Sequence, residues 1–166
     1  MAAVDAGPGA YRRLVPDDTE PTADALVVRR APWGELTADT AYGILALRSE
    51  VFVVEQRCAY QDLDGRDLEP DAEHWWIEEH GVVASYLRVL HDPDGTTRLG
   101  RVVTRSEHRS RGLSARLIRA ALESAPRPVL IHAQAHLARW YRRFVFEIVG
   151  DVFLEDGIDH LPMRLG

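Results

Sequence analysis

Apolar and polar residues follow regular patterns along most of the chain after residue 25. Short apolar runs predict β-strands, and apolar positions that recur every three or four residues predict helices. Strands are predicted at residues 26–29, 74–79, 82–90, 99–104, 128–132, 149–154 and 158–165. Helices are predicted at residues 37–48, 113–122 and 135–144, with a short helix or turn at residues 51–56. The order β-α-α-β-β-β-α-β-α-β-β predicts a single α/β domain with a mixed sheet.

Turn-forming residues separate these elements. Residues 79–81 and 156–157 fit hairpin turns, and residues 91–95 fit a tight turn that contains proline, aspartate and glycine. Residues 59–72 are rich in aspartate and include a glycine and a proline, which predicts a loop. The acidic loop therefore precedes the first predicted hairpin.

The first 25 residues differ in composition from the rest of the chain. They are rich in Ala, Gly, Pro, Asp and Thr and show no periodicity, which predicts a disordered N-terminal tail over residues 1–25. Residues 26–166 are then the domain.

Composition and charge narrow the class of protein. A chain of 166 residues with 46% apolar residues is long enough for one domain with a sizeable core. Its net charge of −6 argues against general binding to nucleic acid or to membranes, which favour a basic surface. The single Cys58 excludes an internal disulfide, and no signal peptide or membrane-spanning run is visible. We therefore expect a cytoplasmic protein.

A basic, glycine-containing turn lies between the strand at residues 99–104 and the next helix. The first turn of a helix has backbone N–H groups without partners and carries partial positive charge. Gly112 permits close approach of a ligand to the backbone, and Arg109 and Arg111 add charged donors. The turn matches neither a P-loop nor a dinucleotide-binding fingerprint. It predicts a phosphate or pyrophosphate site, and the alternative is a solvated surface loop.

This R-x-x-G-x-S turn resembles the R/Q-x-x-G-x-G/A turn of GNAT-superfamily acyltransferases. Residues 47–56, 100–103, 133–136 and 155–160 resemble segments of the ElaA-type branch of that superfamily, in the same order. The resemblance covers roughly residues 26–164. It implies a single GNAT-like domain, with a mixed, mostly antiparallel sheet flanked by helices.

The resemblance implies an N-acetyltransferase in which an amine attacks the thioester of acetyl-CoA directly. The basic turn would hold the pyrophosphate, and the strand before it would line the pantetheine arm. Tyr141 matches the family position that donates a proton to the leaving thiolate. The alternative for Tyr141 is a core aromatic residue. The implied acetyl-CoA-binding residues are Val102, Val103, Thr104, Arg109, Ser110, Arg111, Gly112, Leu113 and Ser114.

The base and the acceptor site are less sharply defined by the sequence. His74 and His136 are the candidate bases, and a water chain without a dedicated base is the alternative. Acidic residues can attract a cationic amine, although a solvated acidic loop explains the same charges. The candidate acceptor-binding residues are Glu55, Gln56, Tyr60, Asp62 and Gln134. No metal site is expected. The acceptor is expected to be a small-molecule or peptide amine, and the protein a monomer or homodimer.

Three residues depart from the usual GNAT pattern. Ser110 stands where glycine is usual, and Ser114 stands where glycine or alanine is usual. A serine hydroxyl can reach a phosphate oxygen. Val145 replaces the glycine that usually follows the helix of Tyr141, so the turn there is expected to be strained or reshaped. These departures leave an alternative function open, that of a GNAT-fold module that binds acyl-CoA or a protein without catalysis.

Overall fold

The computed structural model describes residues 26–166, so the predicted tail at residues 1–25 lies outside the described residues. The helices are α1 (Ala38–Arg48), α2 (Leu113–Ser124) and α3 (Ala138–Tyr141). The strands are β1 (Val28–Ala31), β2 (Glu73–Glu79), β3 (Val82–His91), β4 (Thr97–Thr104), β5 (Val129–Gln134), β6 (Glu147–Ile148), β7 (Phe153–Glu155) and β8 (Ile158–Leu165). The predicted short helix at residues 51–56 is a π-helix over Ser49–Glu55 that continues α1.

The strands form one mixed sheet in the order β1-β2-β3-β4-β5-β8-β6, and β7 pairs with β8. The paired strands are antiparallel except for β4 and β5, which run parallel. This confirms the predicted mixed, mostly antiparallel sheet. Within residues 26–166, no helix is long and apolar enough to cross a membrane.

Helices cover both faces of the sheet because consecutive apolar residues of a strand point to opposite faces. Leu87 and Val89 pack with α2 and α3 in one core, whereas Tyr86 packs with α1 in a second core. At the start of α1, the Thr37 side chain accepts a hydrogen bond from the backbone N–H of Thr40, at 3.1 Å. We call the face that carries the first core the α2 face and the face that carries the second core the α1 face.

A β-bulge in β4 changes which face its side chains reach. Tyr86 pairs with Val103 and Arg88 with Gly100, so two residues of β4 oppose one residue of β3. Arg101, in the bulge, has φ +54°. As a result Leu99 packs on the α2 face, whereas Val103 packs on the α1 face.

The parallel strands β4 and β5 separate soon after they begin. Their register joins Thr97 to Val129 and Arg98 to Leu130, and no further pair follows in the described part of the chain. The rest of β4, as far as Thr104, therefore leaves one backbone edge unpaired on the side of β5. This opening between the two strands creates the space for a site.

The helix predicted at residues 135–144 is broken into three short pieces. A 3-10 turn precedes α3, a second one follows it, and the chain then turns at Val145. Val145 has φ +67°, in the left-handed region that favours glycine. Its side chain is 70% exposed, so packing does not hold it there. The chain keeps a glycine-type turn at the cost of backbone strain.

We expect Val145→Gly to raise the free energy of unfolding by about 1 kcal/mol. Relief of a left-handed conformation gives about 1–2 kcal/mol, and the greater freedom of glycine in the unfolded chain offsets part of it. The matched control is Val149→Gly. Val149 directly follows β6 and is also exposed, but its φ is not positive. Urea denaturation should show a gain for the first variant and a loss for the second. A loss in both would contradict strain at Val145.

Candidate active site

An open cleft of about 1090 Å³ occupies the space between the diverging ends of β4 and β5. It extends from the start of α2, past α3, to the β7–β8 hairpin. The predicted site residues that line it are Glu55, Gln56, Tyr60, Val102, Val103, Thr104, Arg109, Ser110, Ser114, Gln134, His136 and Tyr141. Those that do not line it are Asp62, His74, Arg111, Gly112 and Leu113. The structure thus brings most of the predicted residues together.

The turn before α2 leaves backbone donors unpaired next to Ser110 and Ser114, which line the cleft. Gly112 precedes the helix with φ +75°, and no side chain caps this helix end in the described structure. The N–H of Arg116 bonds to the carbonyl of Gly112 at 3.0 Å, so the N–H groups before Arg116 belong to the unpaired first turn. A Cβ built on Gly112 would meet no protein atom within 4 Å. The space in front of this turn is open to an anion.

Ser110 and Ser114 accommodate the turn in different ways. Ser110 adopts φ +62°, so serine takes up a conformation that favours glycine. Ser114 is fixed by a chain of hydroxyls. Ser85 donates to the carbonyl of Val103 at 2.9 Å, Thr104 then donates to Ser85 at 2.8 Å, and Ser114 donates to Thr104 at 2.6 Å. The Ser114 proton is therefore already used, which counts against its hydroxyl as a phosphate donor.

The two arginines of the turn have different surroundings. Arg109 lines the cleft, where it donates to the carbonyl of Thr104 at 3.1 Å and to Glu55 at 2.6 Å. This bond to Arg109 lowers the pKa of Glu55 and engages one oxygen of its carboxylate. Arg111 instead makes two bonds to Glu79, at 2.6 and 2.7 Å, away from the cleft. This placement corrects the expectation that both arginines face the cofactor.

Tyr141 lies at the edge of the core with its ring in the cleft wall. It is 7% exposed and packs edge-to-face against Trp140, with ring centroids 4.9 Å apart. Within residues 26–166, no group forms a hydrogen bond with its hydroxyl. The hydroxyl oxygen is not fully buried, and the residue lines the cleft. Burial raises the pKa of Tyr141, so its hydroxyl keeps the proton at neutral pH. The unpaired, protonated hydroxyl can therefore donate to a group in the cleft, while its raised pKa makes it a weaker acid than an exposed phenol.

Arg48 anchors the acidic loop inside the protein. Its side chain is completely buried and donates to the Asp62 carboxylate at 2.9 Å and to the Asp67 carboxylate at 2.6 Å. A further bond runs to the backbone carbonyl of Asp62 at 2.9 Å. The other Asp62 oxygen accepts from the Tyr60 hydroxyl at 2.8 Å. Asp62 therefore has no free oxygen for an amine, which corrects the expectation from the sequence.

Two further arginines complete this ionic cluster. Arg88 makes two bonds to Asp64, at 2.7 and 2.8 Å, and one to Asp67 at 2.9 Å. Arg101, from the bulge of β4, approaches Asp62 at 2.7 Å and Asp64 at 3.2 Å. Burial alone would raise the pKa of Asp64, but its bonds to Arg88 lower it to about 2. Three aspartates and three arginines neutralise one another, so this cluster offers no surplus charge to a substrate.

His74 belongs to the same buried region and does not reach the cleft. It is completely buried, and its two ring nitrogens bond to the Tyr86 hydroxyl at 2.8 Å and to the Asp67 carbonyl at 3.0 Å. Burial lowers the pKa of His74. A base needs a free nitrogen within reach of the substrate. The expectation that His74 is a candidate base is therefore wrong.

The far end of the cleft is polar and is formed by several separate segments. Gln134, at the end of β5, donates to Gln56 at 3.2 Å. Cys58 lies near the β7–β8 turn, with its sulfur 3.1 Å from the carbonyl of Asp156. His136 is exposed in the cleft wall. This end has the room and the polar groups that an acceptor amine requires.

Sequence reasoning gave no role to several residues that the structure places in or beside the site. Arg88 interrupts the apolar run at residues 82–90, and a charged residue at that place signals a buried ion pair. Arg101 has no such signal, because the bulge that redirects it depends on the register of β3 and β4. His160 lines the cleft and follows the turn at residues 156–157 by three residues. The sequence marks it only as part of the segment that resembles the ElaA-type branch.

Comparisons with known proteins agree with this geometry. The model of the acetyltransferase (GNAT) domain matches residues 36–166. A UPF0039 protein of Mycobacterium tuberculosis is 44% identical over 141 residues, which are 82% of this chain and 90% of that protein. An acyl-CoA N-acyltransferase from Pseudomonas aeruginosa has a similar structure, with 42% identity and a TM-score of 0.80 over 86% of this chain and 100% of that one. Escherichia coli ElaA is also similar, with 35% identity and a TM-score of 0.79 over 84% and 98% of the two chains.

The match of the domain model extends from before α1 to the last residue, and thus includes the turn before α2, the separated strands and α3. Both solved structures share the fold over almost their whole length. The chain therefore belongs to the GNAT family of acetyltransferases, in the branch that includes ElaA, and is an acyltransferase of the GNAT type.

Proposed function

We propose that the protein transfers an acetyl group from acetyl-CoA to a primary amine of a small molecule or peptide. One observation carries this proposal. A single cleft joins the uncapped start of α2, the unpaired edge of β4 and the unbonded hydroxyl of Tyr141. These are the three things that the reaction needs: an anion site, a peptide-like edge for an extended arm and a proton donor.

The start of α2 is proposed to bind the pyrophosphate of acetyl-CoA. The unpaired N–H groups before Arg116 and the partial positive charge of the helix end favour an anion there. Arg109 lies beside them in the cleft wall, bonded to Glu55 through one terminal nitrogen. Its other terminal nitrogen is available to a phosphate oxygen.

The edge of β4 is proposed to bind the pantetheine arm. Val102, Val103 and Thr104 line the cleft beyond the last residues that pair with β5. Amide groups of an extended arm can bond to such an edge as a neighbouring strand would. A backbone N–H at this edge would then polarise the thioester carbonyl as negative charge develops on its oxygen.

Tyr141 is proposed to complete the transfer. The neutral amine attacks the thioester carbon, and the tetrahedral intermediate collapses by breaking the carbon–sulfur bond. The Tyr141 hydroxyl donates its proton to the sulfur as that bond breaks. Within residues 26–166, no acceptor competes for that proton, because no hydrogen bond holds it.

Binding of acetyl-CoA is the direct test of the anion site. Acetyl-CoA and CoA should each raise the unfolding midpoint of the wild-type protein by several degrees when in large excess over Kd. Arg109→Glu should abolish the rise, since a negative charge at the cleft opposes the pyrophosphate. Arg111→Glu is the matched control, because Arg111 lies in the same turn but faces Glu79, and it should keep most of the rise.

Thermal-shift titrations of the three proteins give the answer without an acceptor. An unchanged rise in Arg109→Glu would show that the anion binds elsewhere. Binding without transfer to any amine would favour the non-catalytic acyl-CoA-binding module.

A further inference from the structure

His160 lies in the wall of the cleft, and the role inferred for it rests on the proposed function. His160 is the third residue of β8, pairs with Gln134 of β5, and lines the cleft at the end opposite to the start of α2. Its side chain is half-buried. The ring of Phe153 lies between it and His132, with centroids 5.9 Å from His160 and 4.9 Å from His132. The imidazole therefore has a defined place in the wall.

One hydrogen bond determines where the proton of this imidazole lies. Nδ1 of His160 is 2.8 Å from the backbone carbonyl of Ile158. A carbonyl oxygen only accepts, so Nδ1 carries the hydrogen and the neutral ring has its lone pair on Nε2. Within residues 26–166, no group bonds to Nε2. A half-buried nitrogen lone pair is thus held at the wall of the cleft without a protein partner.

His160 and Tyr141 approach the cleft from opposite faces of the sheet. Ile131 and Ala133 of β5 and Met163 of β8 pack in the α2-side core together with Tyr141. Because strand residues alternate, Gln134 and its partner His160 point to the α1 face. A thioester in the opening between β4 and β5 would have the acid on one side and the lone pair on the other. That arrangement separates the leaving sulfur from the incoming amine.

The other histidines of the cleft are less suited to accept a proton. Nδ1 of His132 is 3.5 Å from Glu155, an exposed carboxylate that competes with any substrate for the ring. His136 is exposed, and no carbonyl fixes which of its nitrogens carries the hydrogen in the described structure. Among the cleft histidines of residues 26–166, only His160 is half-buried and has a backbone bond that leaves its lone pair on the unbonded nitrogen.

We propose that Nε2 of His160 is the general base that deprotonates the acceptor amine. The ammonium group of the acceptor loses one proton to Nε2, and the freed nitrogen lone pair attacks the thioester carbon. The nitrogen loses its second proton as the intermediate collapses, and this proton replaces the one that Tyr141 gives to the sulfur. His160 passes its proton to water. The products are the amide, the free thiol and one proton released to solvent.

His160→Asn separates this role from a structural one. The Asn side-chain NH2 can replace Nδ1–H as donor to the Ile158 carbonyl, but it offers no basic nitrogen. His132→Asn and His136→Asn are the matched controls, since each removes another imidazole of the same cleft. The thermal shift with acetyl-CoA is measured for every variant, so that loss of cofactor binding is seen separately from loss of the base.

The probes are acetyl-CoA with ethylamine or with 2,2,2-trifluoroethylamine, and release of free thiol is followed. The two amines have similar size, but fluorine makes the second far less basic, so it reaches the site already neutral. We expect His160→Asn to slow transfer to ethylamine by about 10²-fold. The loss with trifluoroethylamine should be much smaller, and neither control variant should show this difference between the amines. Equal losses with both amines, or the same pattern in His136→Asn, would overturn the assignment.

A second measurement does not need an acceptor. Long-range proton–nitrogen NMR correlations report which nitrogen of a neutral imidazole carries the hydrogen. We expect the Nδ1–H form for His160, and its loss in His160→Asn identifies the signal. The Nε2–H form would overturn the proposal even if neither amine is a substrate. Absence of any acetyl-CoA-induced shift in the wild type would instead refute the proposed function, and the two failures are therefore distinguishable.

Discussion

Arg48→Met is expected to lower the free energy of unfolding by about 3–5 kcal/mol, the range for breaking a buried ion pair. Arg48 is completely buried and donates to Asp62 and Asp67, which are themselves almost completely buried. Methionine fills much of the same volume but leaves three aspartates facing two arginines. The carboxylates keep their desolvation cost and lose donors, so the folded state is destabilised.

Urea denaturation of a matched pair shows whether burial is the cause. Arg111 makes two bonds to Glu79 of similar length, but its side chain is 41% exposed. Arg111→Met should therefore change the free energy of unfolding little, because water screens an exposed ion pair. Similar losses for Arg48→Met and Arg111→Met would contradict the importance of the buried cluster. Arg48→Lys, which keeps the charge but not the planar group, should fall between wild type and Arg48→Met.

Acid denaturation is a second test of the stability that this cluster contributes. The pKa of Asp64 is lowered to about 2, and that of Asp67 is lowered as well, although burial opposes both shifts. The unfolded chain, in which an aspartate pKa is about 3.9, therefore binds protons first as the pH falls. The stability that these carboxylates contribute is present above about pH 4 and is lost toward the folded-state values. Arg48→Met should have less of this stability to lose, because Arg48 contributes to the low pKa of Asp67.

Most strands and their order could be predicted because their signal is local. The exception is the predicted strand at residues 149–154, because the chain instead forms β6 before it and β7 at its end. Each segment contains its own pattern of apolar residues, and β3 and β8 begin at the predicted residues. The broken helix around α3 was not predicted. Its apolar spacing fits one helix, yet the chain there makes two 3-10 turns, which the spacing alone does not distinguish.

The start of α2, where we propose that the anion binds, could also be predicted locally, since a helix start and its turn are contiguous in sequence. The acidic loop could not. Asp62 and Asp67 look solvated in the sequence, but Arg48 and Arg88 reach them from α1 and β3. Such pairing depends on how distant segments pack, so the sign of the charge in one loop does not give its surroundings. The place of Tyr141 in the cleft wall is likewise a property of packing, which its apolar spacing in the sequence does not show.

Tyr141→Phe is expected to slow acetyl transfer by about 10²–10⁴-fold while leaving acetyl-CoA binding and stability nearly unchanged. The substitution removes the proposed proton donor and keeps the ring that packs against Trp140. Stability should hold, because no hydrogen bond of the hydroxyl is lost within residues 26–166. Tyr86→Phe is the matched control, since its buried hydroxyl bonds to His74 at 2.8 Å. It should lose about 1 kcal/mol of stability and little of the transfer rate.

The pH dependence of this deficit tests the role of the proton itself. Burial raises the pKa of Tyr141 above the value of about 10 for an exposed phenol, so the wild-type hydroxyl remains a donor in moderately alkaline solution. The rate ratio of wild type to Tyr141→Phe should therefore stay constant from pH 7 to about pH 10 rather than shrink. Turnover, acetyl-CoA-induced thermal shift and urea midpoint are measured on both Phe variants. Full turnover in Tyr141→Phe would show that Tyr141 is a packing residue. A ratio that falls to about half by pH 10, as for an exposed phenol, would contradict the effect of burial on its proton.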